Sequence, residues 1–162
     1  MDILHIPIRR YELVAIASFL LCLFGCAATG PTYERPSALD SSASEIVVYR
    51  PDRFARGGDT FYVYLDGKEL AKLQNAGFAI IPTSPGSHEL EIRRPVMDFA
   101  FKPLKMAVST TTGGRSFVRF EPYISGRIVA TPFAMVIPVA YRFTLVQEAD
   151  ALIDLQVLRR SE

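Results

Sequence analysis

Residues 60–94 read TFYVYLDGKELAKLQNAGFAIIPTSPGSHELEIRR and carry the densest local pattern in the chain. Apolar and more polar residues alternate over residues 61–66, the period of two expected of a strand with one buried face. Asp66-Gly67 follows at once, and this pair suits a two-residue type I′ hairpin because Gly accepts the positive φ that such a turn requires and Asp tolerates it. Residues 68–73 are therefore predicted to be the returning strand.

Further turns divide the rest of this stretch. Residues 75–77 (Asn-Ala-Gly) end the second strand, and a short apolar strand is predicted over residues 78–81. Ser84-Pro85-Gly86 makes the next turn, after which His88, Leu90 and Ile92 alternate with charged residues. Strands this short, separated by such turns, predict an antiparallel meander.

The remaining chain supplies more strands and one helix. Residues 45–50 are rich in β-branched side chains and end at Pro51, and residues 142–146 alternate like a last strand. Residues 115–121 carry an aromatic on each face, which indicates a central strand or an outer face that something else covers. Residues 147–158 place leucines at helical spacing behind acidic residues, and predict a short C-terminal helix. The prediction is one all-β domain over residues 45–162, a small antiparallel sandwich of seven or eight strands, Ig-like or prealbumin-like, with that helix.

The order of these turns resembles a known kind of module. FYVYLDGK at residues 61–68, Gly77-Phe78, and SPGSHEL at residues 84–90 resemble the pattern of PEGA-like modules. The chain is more closely similar to the bacterial lipoprotein family catalogued as domain of unknown function 2846, in which a later G-[KR]-x-[YF]-V-R strand is usual; GRSFVR at residues 114–119 matches it. The resemblance covers roughly residues 45–155. It implies a small β-sandwich at the cell envelope and no assigned activity.

The N-terminus has the features of an export signal. Two arginines precede an uncharged apolar run at residues 13–24, which is shorter than the ~20 residues that a membrane-spanning helix needs. Leu23-Phe24-Gly25-Cys26 then resembles a lipobox, with a small residue before the cut. Residues 1–25 are predicted to be a lipoprotein signal peptide, and Cys26 is predicted to carry the lipid anchor, because several acyl chains hold a protein on a membrane stably.

Two alternatives to this anchor stay open, an uncleaved anchor helix and ordinary signal cleavage. Gly30-Pro31 argues against a long helix. Ala27, rather than Asp, follows Cys26, which by similarity to the sorting rule of enteric lipoproteins predicts the periplasmic side of the outer membrane, with the inner membrane as the alternative. The segment over residues 26–44, rich in Ser and Pro, is expected to be a flexible tether.

Charge and cysteine content exclude several classes of function. The chain has 18 Lys plus Arg against 17 Asp plus Glu, a net charge of +1, which lacks the basic footprint of a nucleic-acid-binding protein. Cys22 and Cys26 are the only cysteines. The domain therefore has no disulfide, no thiol nucleophile and no thiolate metal site, and we expect neither a cofactor nor a metal.

The sequence offers little that could carry catalysis. After processing, His88 is the only histidine, and it lies in phase with apolar residues beside the Pro-Gly turn, so it is expected to be structural. No His-x-x-x-His or Glu-x-x-His spacing occurs. Asp66 is already explained by its turn. These features predict a protein that is not an enzyme.

Two candidate interaction surfaces remain. Residues 128–141 contain no charge, and they either supply core strands of the second sheet or form an exposed apolar loop or hairpin for a protein partner or the bilayer surface, with Phe133, Met135 and Ile137 in contact. Tyr62 and Tyr64 point the same way on one strand, as sugar platforms do, although cross-strand packing explains them as well. The sequence thus predicts a lipid-anchored, non-enzymatic binding or structural module with an envelope protein partner; the alternative is an accessory carbohydrate-binding or peptidoglycan-binding module.

Overall fold

The structure is a computed structural model that describes residues 27–35, 39, 42–53, 57–94, 101–131 and 135–161, with only the backbone described at 135 and 136. The predicted signal peptide and Cys26 lie outside the described residues. The strands are β1 (Ser44–Arg50), β2 (Phe61–Leu65), β3 (Lys68–Leu73), β4 (Gly77–Thr83), β5 (Gly86–Arg93), β6 (Leu104–Thr110), β7 (Arg115–Ile124), β8 (Val129–Ala130), β9 (Met135–Val136), β10 (Val139–Val146) and β11 (Arg159–Arg160), and the helix is α1 (Glu148–Leu155).

These strands form two packed sheets and a small hairpin. The five-stranded sheet has the order β10-β7-β1-β4-β11, the four-stranded sheet has the order β3-β2-β5-β6, and β8 pairs with β9. Neighbours are antiparallel except for β1 with β7 and β4 with β11. The predicted all-β sandwich with a short C-terminal helix is confirmed, although its sheets hold five and four strands.

The five-stranded sheet is covered on both faces. One face packs on the four-stranded sheet through a buried cluster that includes Val48, Phe61, Val118 and Phe120. The other face packs on α1 and the chain after it, where Phe117 lies in a second buried cluster with Leu155. The aromatics on both faces of β7 are thus explained as the sequence indicated, because β7 is a central strand and both of its faces are buried.

The predicted hairpin is present, but the predicted meander is wrong. Asp66 and Gly67 both have positive φ, 52° and 81°, as a type I′ turn requires. β4, however, leaves the sheet of its neighbours and pairs with β1, while β5 returns to pair with β2. The physical reason is that β4 buries consecutive residues, so both of its faces are apolar and it fits only the sheet that is covered on both sides.

The segment predicted to be a tether lies against the domain over residues 27–35. The Ala28 N–H donates to the Asn75 carbonyl at 3.0 Å and the Gly30 N–H donates to the Arg160 carbonyl at 3.1 Å. The ring of Tyr33 meets the ring of Phe78 edge-on, with 5.4 Å between centroids. This part of the segment therefore belongs to the fold.

The sandwich has two distinct ends. At the entry end, where the described chain begins, Asn75 bridges to Ala27, and the register aligns Gly77 with Arg50. The opposite end, here called the turn end, holds the 66–67, 84–86 and 111–114 turns, which the Thr110 hydroxyl helps to join by donating to the Ser84 carbonyl at 3.0 Å.

Candidate interaction surface

A β-ribbon projects from the entry end of the sandwich. β1 ends beside β7 at the pair Tyr49 and Arg119, but β7 continues to Ile124, five residues or about 16 Å further. β10 accompanies it, and the Ser125 N–H donates to the Pro138 carbonyl at 2.9 Å before β8 and β9 extend the pairing. We call residues 121–131 and 135–142 the ribbon.

The ribbon carries large apolar side chains that face solvent. Their exposed fractions range from 41% to 57% in the group Tyr123, Ile124, Ile128, Val129 and Ile137. Single exposed apolar residues are ordinary, but a group this close together on one element is typical of an interaction site.

This exposure separates the two interpretations of residues 128–141. Core strands are the wrong interpretation for residues 128–130 and for Ile137, because the ribbon extends past the end of β1 and these residues are exposed. Residues 139–141 do join β10, and Tyr141 packs on Phe61 with ring centroids 5.2 Å apart. Of the predicted contacts, Ile137 lies on the exposed ribbon. Met135 lies on β9 but its side chain is outside the description, and Phe133 is outside the described residues.

Tyr62 and Tyr64 lie elsewhere, on the outer face of the four-stranded sheet. The Tyr64 hydroxyl donates to Glu69 Oε2 at 2.7 Å, and the Arg93 guanidinium lies 4.1 Å from the centre of the Tyr64 ring. Glu91 fixes that guanidinium through two hydrogen bonds of 2.8 Å. The ring of Tyr64 is therefore engaged in cross-strand packing on the face that Arg93 covers.

Arginines surround a buried carboxylate at the base of the ribbon. Arg142 donates two hydrogen bonds to Glu121 Oε1, at 3.0 and 2.7 Å, while Arg53 and Arg119 approach Glu121 within 3.6 and 3.8 Å. Burial alone would raise the pKa of Glu121, but the hydrogen bond from Arg142 and the charges of the three arginines outweigh it and lower the pKa. Arg142 also lies over the ring of Tyr123, at 5.4 Å from its centre. Arg119 also bonds to Asp154 at 3.4 Å, so this site brings together three guanidiniums and two carboxylates, an excess of one guanidinium.

More cations lie at the same end. We call the exposed arginines there the basic collar: Arg53, Arg127, Arg142, Arg159 and Arg160. Of the carboxylates near this end, Asp59 pairs with Arg94 at 2.6 Å and Asp154 accepts from the Tyr49 hydroxyl at 2.9 Å, while Asp52 is exposed beside Arg53 and accepts from the Asn75 side chain at 2.6 Å. The entry end therefore presents the apolar side chains of the ribbon at one edge of the five-stranded sheet, with Arg127 and Arg142 on the ribbon itself and Arg159 and Arg160 on β11 at the opposite edge. The pairing of Arg53 with Glu121 joins residues that are too distant in sequence for it to be predicted from the sequence.

His88 lies at the turn end, far from the ribbon. Its Nδ1 is 2.7 Å from Asp66 Oδ2, and its Nε2 is 2.9 Å from the Ser84 carbonyl and 3.1 Å from Thr83 Oγ1. The hydrogen bond to Asp66 and that to the Ser84 carbonyl raise the pKa of His88. A carbonyl can only accept, so Nε2 carries a proton and cannot take one from Thr83. Asp66, His88 and the Ser84 carbonyl thus form a hydrogen-bonded cluster, here called the clamp, that joins the 66–67 and 84–86 turns.

The described ranges contain no helix long and apolar enough to cross a membrane. In the same part of the chain, no group of three or more His, Cys, Asp or Glu residues is placed to hold a metal ion. Comparison of the chain with models of protein families, with curated proteins and with solved structures found no match. The resemblance to the domain of unknown function 2846 therefore stays a prediction.

Proposed function

We propose that this protein is a lipid-anchored module of the cell envelope that acts by binding rather than by catalysis. In this proposal residues 1–25 direct export, Cys26 becomes acylated, and the domain faces the periplasm from the outer membrane. Its partner is another envelope protein. The lipobox-like sequence before Cys26 and the family resemblance support the proposed lipid anchor and the location at the cell envelope.

The observation that carries the proposal is where the fold begins relative to the predicted anchor. Ala27 directly follows Cys26 in the sequence and is already bridged to Asn75, while Ala28 is buried. Acyl chains on Cys26 would be one residue from the folded domain. Because each buried methylene contributes ~0.8 kcal/mol to membrane attachment, several chains would hold the whole domain at the bilayer, with its entry end nearest the lipid.

Two features of the site favour binding over catalysis. Both ring nitrogens of His88 are engaged, Nδ1 with Asp66 and Nε2 with the Ser84 carbonyl, which can only accept a hydrogen bond. The most distinctive surface is instead the exposed apolar ribbon with its basic collar, a combination typical of an association surface. On Tyr64 the Arg93 guanidinium already covers one face of the ring, which does not favour the carbohydrate-binding alternative.

Lipid labelling in cells tests the anchor directly. Cells that express the full chain are fed radiolabelled palmitate, and membranes are then separated on a density gradient. We expect the label and the protein in the outer-membrane fraction for the unaltered chain and for Cys22→Ser, and an unlabelled, soluble protein for Cys26→Ser. Cys22→Ser is the matched control because it removes the other thiol of the chain. Membrane attachment of Cys26→Ser without label would refute the proposal in favour of an uncleaved anchor helix.

A further inference from the structure

The start of the described chain and the base of the ribbon are joined by a short path of contacts. The Ala28 N–H bonds to the Asn75 carbonyl at 3.0 Å, and the Asn75 side chain bonds to Asp52 Oδ1 at 2.6 Å and to the Arg53 N–H at 3.1 Å. Arg53 in turn lies 3.6 Å from Glu121 on β7. Asn75 is buried, with 7% of its surface exposed, so this path is an internal part of the fold. An anchor at Cys26 and the ribbon are therefore on the same end of the domain.

This end has the chemistry of a lipid interface. Ile124 and Val129 on the ribbon are more than half exposed, at 57% and 51%. Arg127 lies between them in the sequence, and Arg142 lies over the ring of Tyr123. Apolar side chains flanked by arginines, with a tyrosine at the boundary, match the layering of a membrane surface, where acyl chains lie beneath anionic phosphates and aromatic rings sit at the headgroup level.

We infer that the ribbon inserts into the phospholipid surface of the same membrane that holds the anchor, with anionic phospholipids as its ligand. Ile124, Ile128, Val129 and Ile137 contact the acyl region, and the basic collar contacts the phosphates. The inference rests on the proposed anchor at Cys26. It favours lipid over a protein partner on this surface because an anchor one residue from Ala27 brings the entry end against the bilayer in any case, and because the collar complements anionic headgroups.

The absence of competing thiols makes this insertion measurable. Cys22 and Cys26 are the only cysteines, so the processed, acylated chain has no free thiol. Val129→Cys places a single thiol on the ribbon. Thr112→Cys is the matched control, an exposed residue in a loop at the turn end. Each variant is labelled with an environment-sensitive dye and reconstituted into vesicles of phosphatidylglycerol and phosphatidylethanolamine, and mass spectrometry of the same sample reports acylation of Cys26.

We expect the dye at residue 129 to shift to shorter wavelength, to be quenched by lipids that carry nitroxide on the acyl chain, and to be protected from iodide. The dye at residue 112 should show none of these changes. Replacing phosphatidylglycerol with phosphatidylcholine should weaken the lipid quenching at residue 129.

The other outcomes decide against the inference in distinguishable ways. Acylated protein whose residue 129 is as open to iodide as residue 112 would overturn the insertion and leave the anchor intact. Protection from iodide without quenching by lipid would also overturn it, because a protein contact would then cover the ribbon. A chain without acyl groups would overturn the anchor proposal and this inference with it.

Discussion

Replacing Gly30 by alanine should break the backbone pairing of the N-terminal segment with Arg160 without disturbing the core. A β-carbon at Gly30 would lie 2.5 Å from the carbonyl oxygen of Arg160, and real contacts of this kind stay at 3.0 Å or more. The two backbones must therefore separate by at least about 0.5 Å, which lengthens the Gly30–Arg160 hydrogen bond from 3.1 Å to about 3.6 Å, outside the range of such bonds. The reciprocal bond from the Arg160 N–H to the Pro31 carbonyl, 2.8 Å long, is strained by the same movement.

The expected magnitude follows from these two bonds. A backbone hydrogen bond contributes about 0.5–1.5 kcal/mol net, so the pair contributes about 1–3 kcal/mol to the free energy of unfolding. With a denaturant dependence of about 1–3 kcal/mol per molar urea, the unfolding midpoint should fall by about 1 M. The slope should stay nearly constant, because both sheets and α1 are untouched by the substitution.

Urea unfolding of the purified protein, followed by circular dichroism, measures that shift, and amide hydrogen exchange locates it. The amides of residues 30 and 160 should lose protection in Gly30→Ala, while amides of β1 keep theirs. Thr29→Ala is the matched control because Thr29 is the exposed neighbour. An unchanged midpoint together with full protection at residue 160 would show that the segment is not held as the structure indicates.

Two further predictions concern the turn end and the helix. The pKa of His88 is raised, so its contribution to stability is complete below about pH 6.5 and is lost as the pH rises through that raised pKa. The pKa of Asp66 is lowered, so its contribution is lost only when the pH falls through that lowered pKa. The unfolding midpoint of the unaltered protein should therefore decline from pH 6 to pH 8 relative to His88→Gln, and parallel curves would contradict this clamp. Leu155→Ala, at a fully buried position, should lower the free energy of unfolding by about 2–5 kcal/mol. The control Ile153→Ala, on the same helix at a position 66% exposed, should change it by less than about 0.5 kcal/mol. Equal losses of stability in thermal unfolding would show that α1 is not packed as described.

The local sequence pattern predicted the strands and turns of this fold better than it predicted which strands pair with each other. The Asp66-Gly67 turn and the two-faced β7 follow from side chains a few residues apart, and both are confirmed. The prediction of a meander was wrong because the sheet that a strand joins depends on which of its faces must be buried. Both faces of β4 must be buried, and only the five-stranded sheet is covered on both sides.

The candidate surface was predicted in part. The uncharged run of residues 128–141 identified the ribbon as a candidate interaction surface. The exposure of the ribbon, however, depends on how far β7 and β10 extend past the end of β1, which no local sequence pattern reveals. The basic collar could not be predicted either, because it draws arginines from the loop after β1, from the ribbon and from β11, segments that only long-range strand pairing brings to the same end of the domain.

An exposed apolar ribbon would ordinarily be a liability, since large apolar patches on freely diffusing proteins promote association. If Cys26 carries the proposed anchor, the protein is attached one residue before its fold begins. Its entry end would then stay within reach of lipid, and the bilayer could cover the apolar side chains there without a dedicated partner. The same attachment would direct the turn end, with the clamp of His88 and Asp66, away from the membrane. On this reasoning the surfaces left to recognise an envelope protein are the turn end and the outer face of the four-stranded sheet, and partner crosslinks should map to those surfaces rather than to the ribbon.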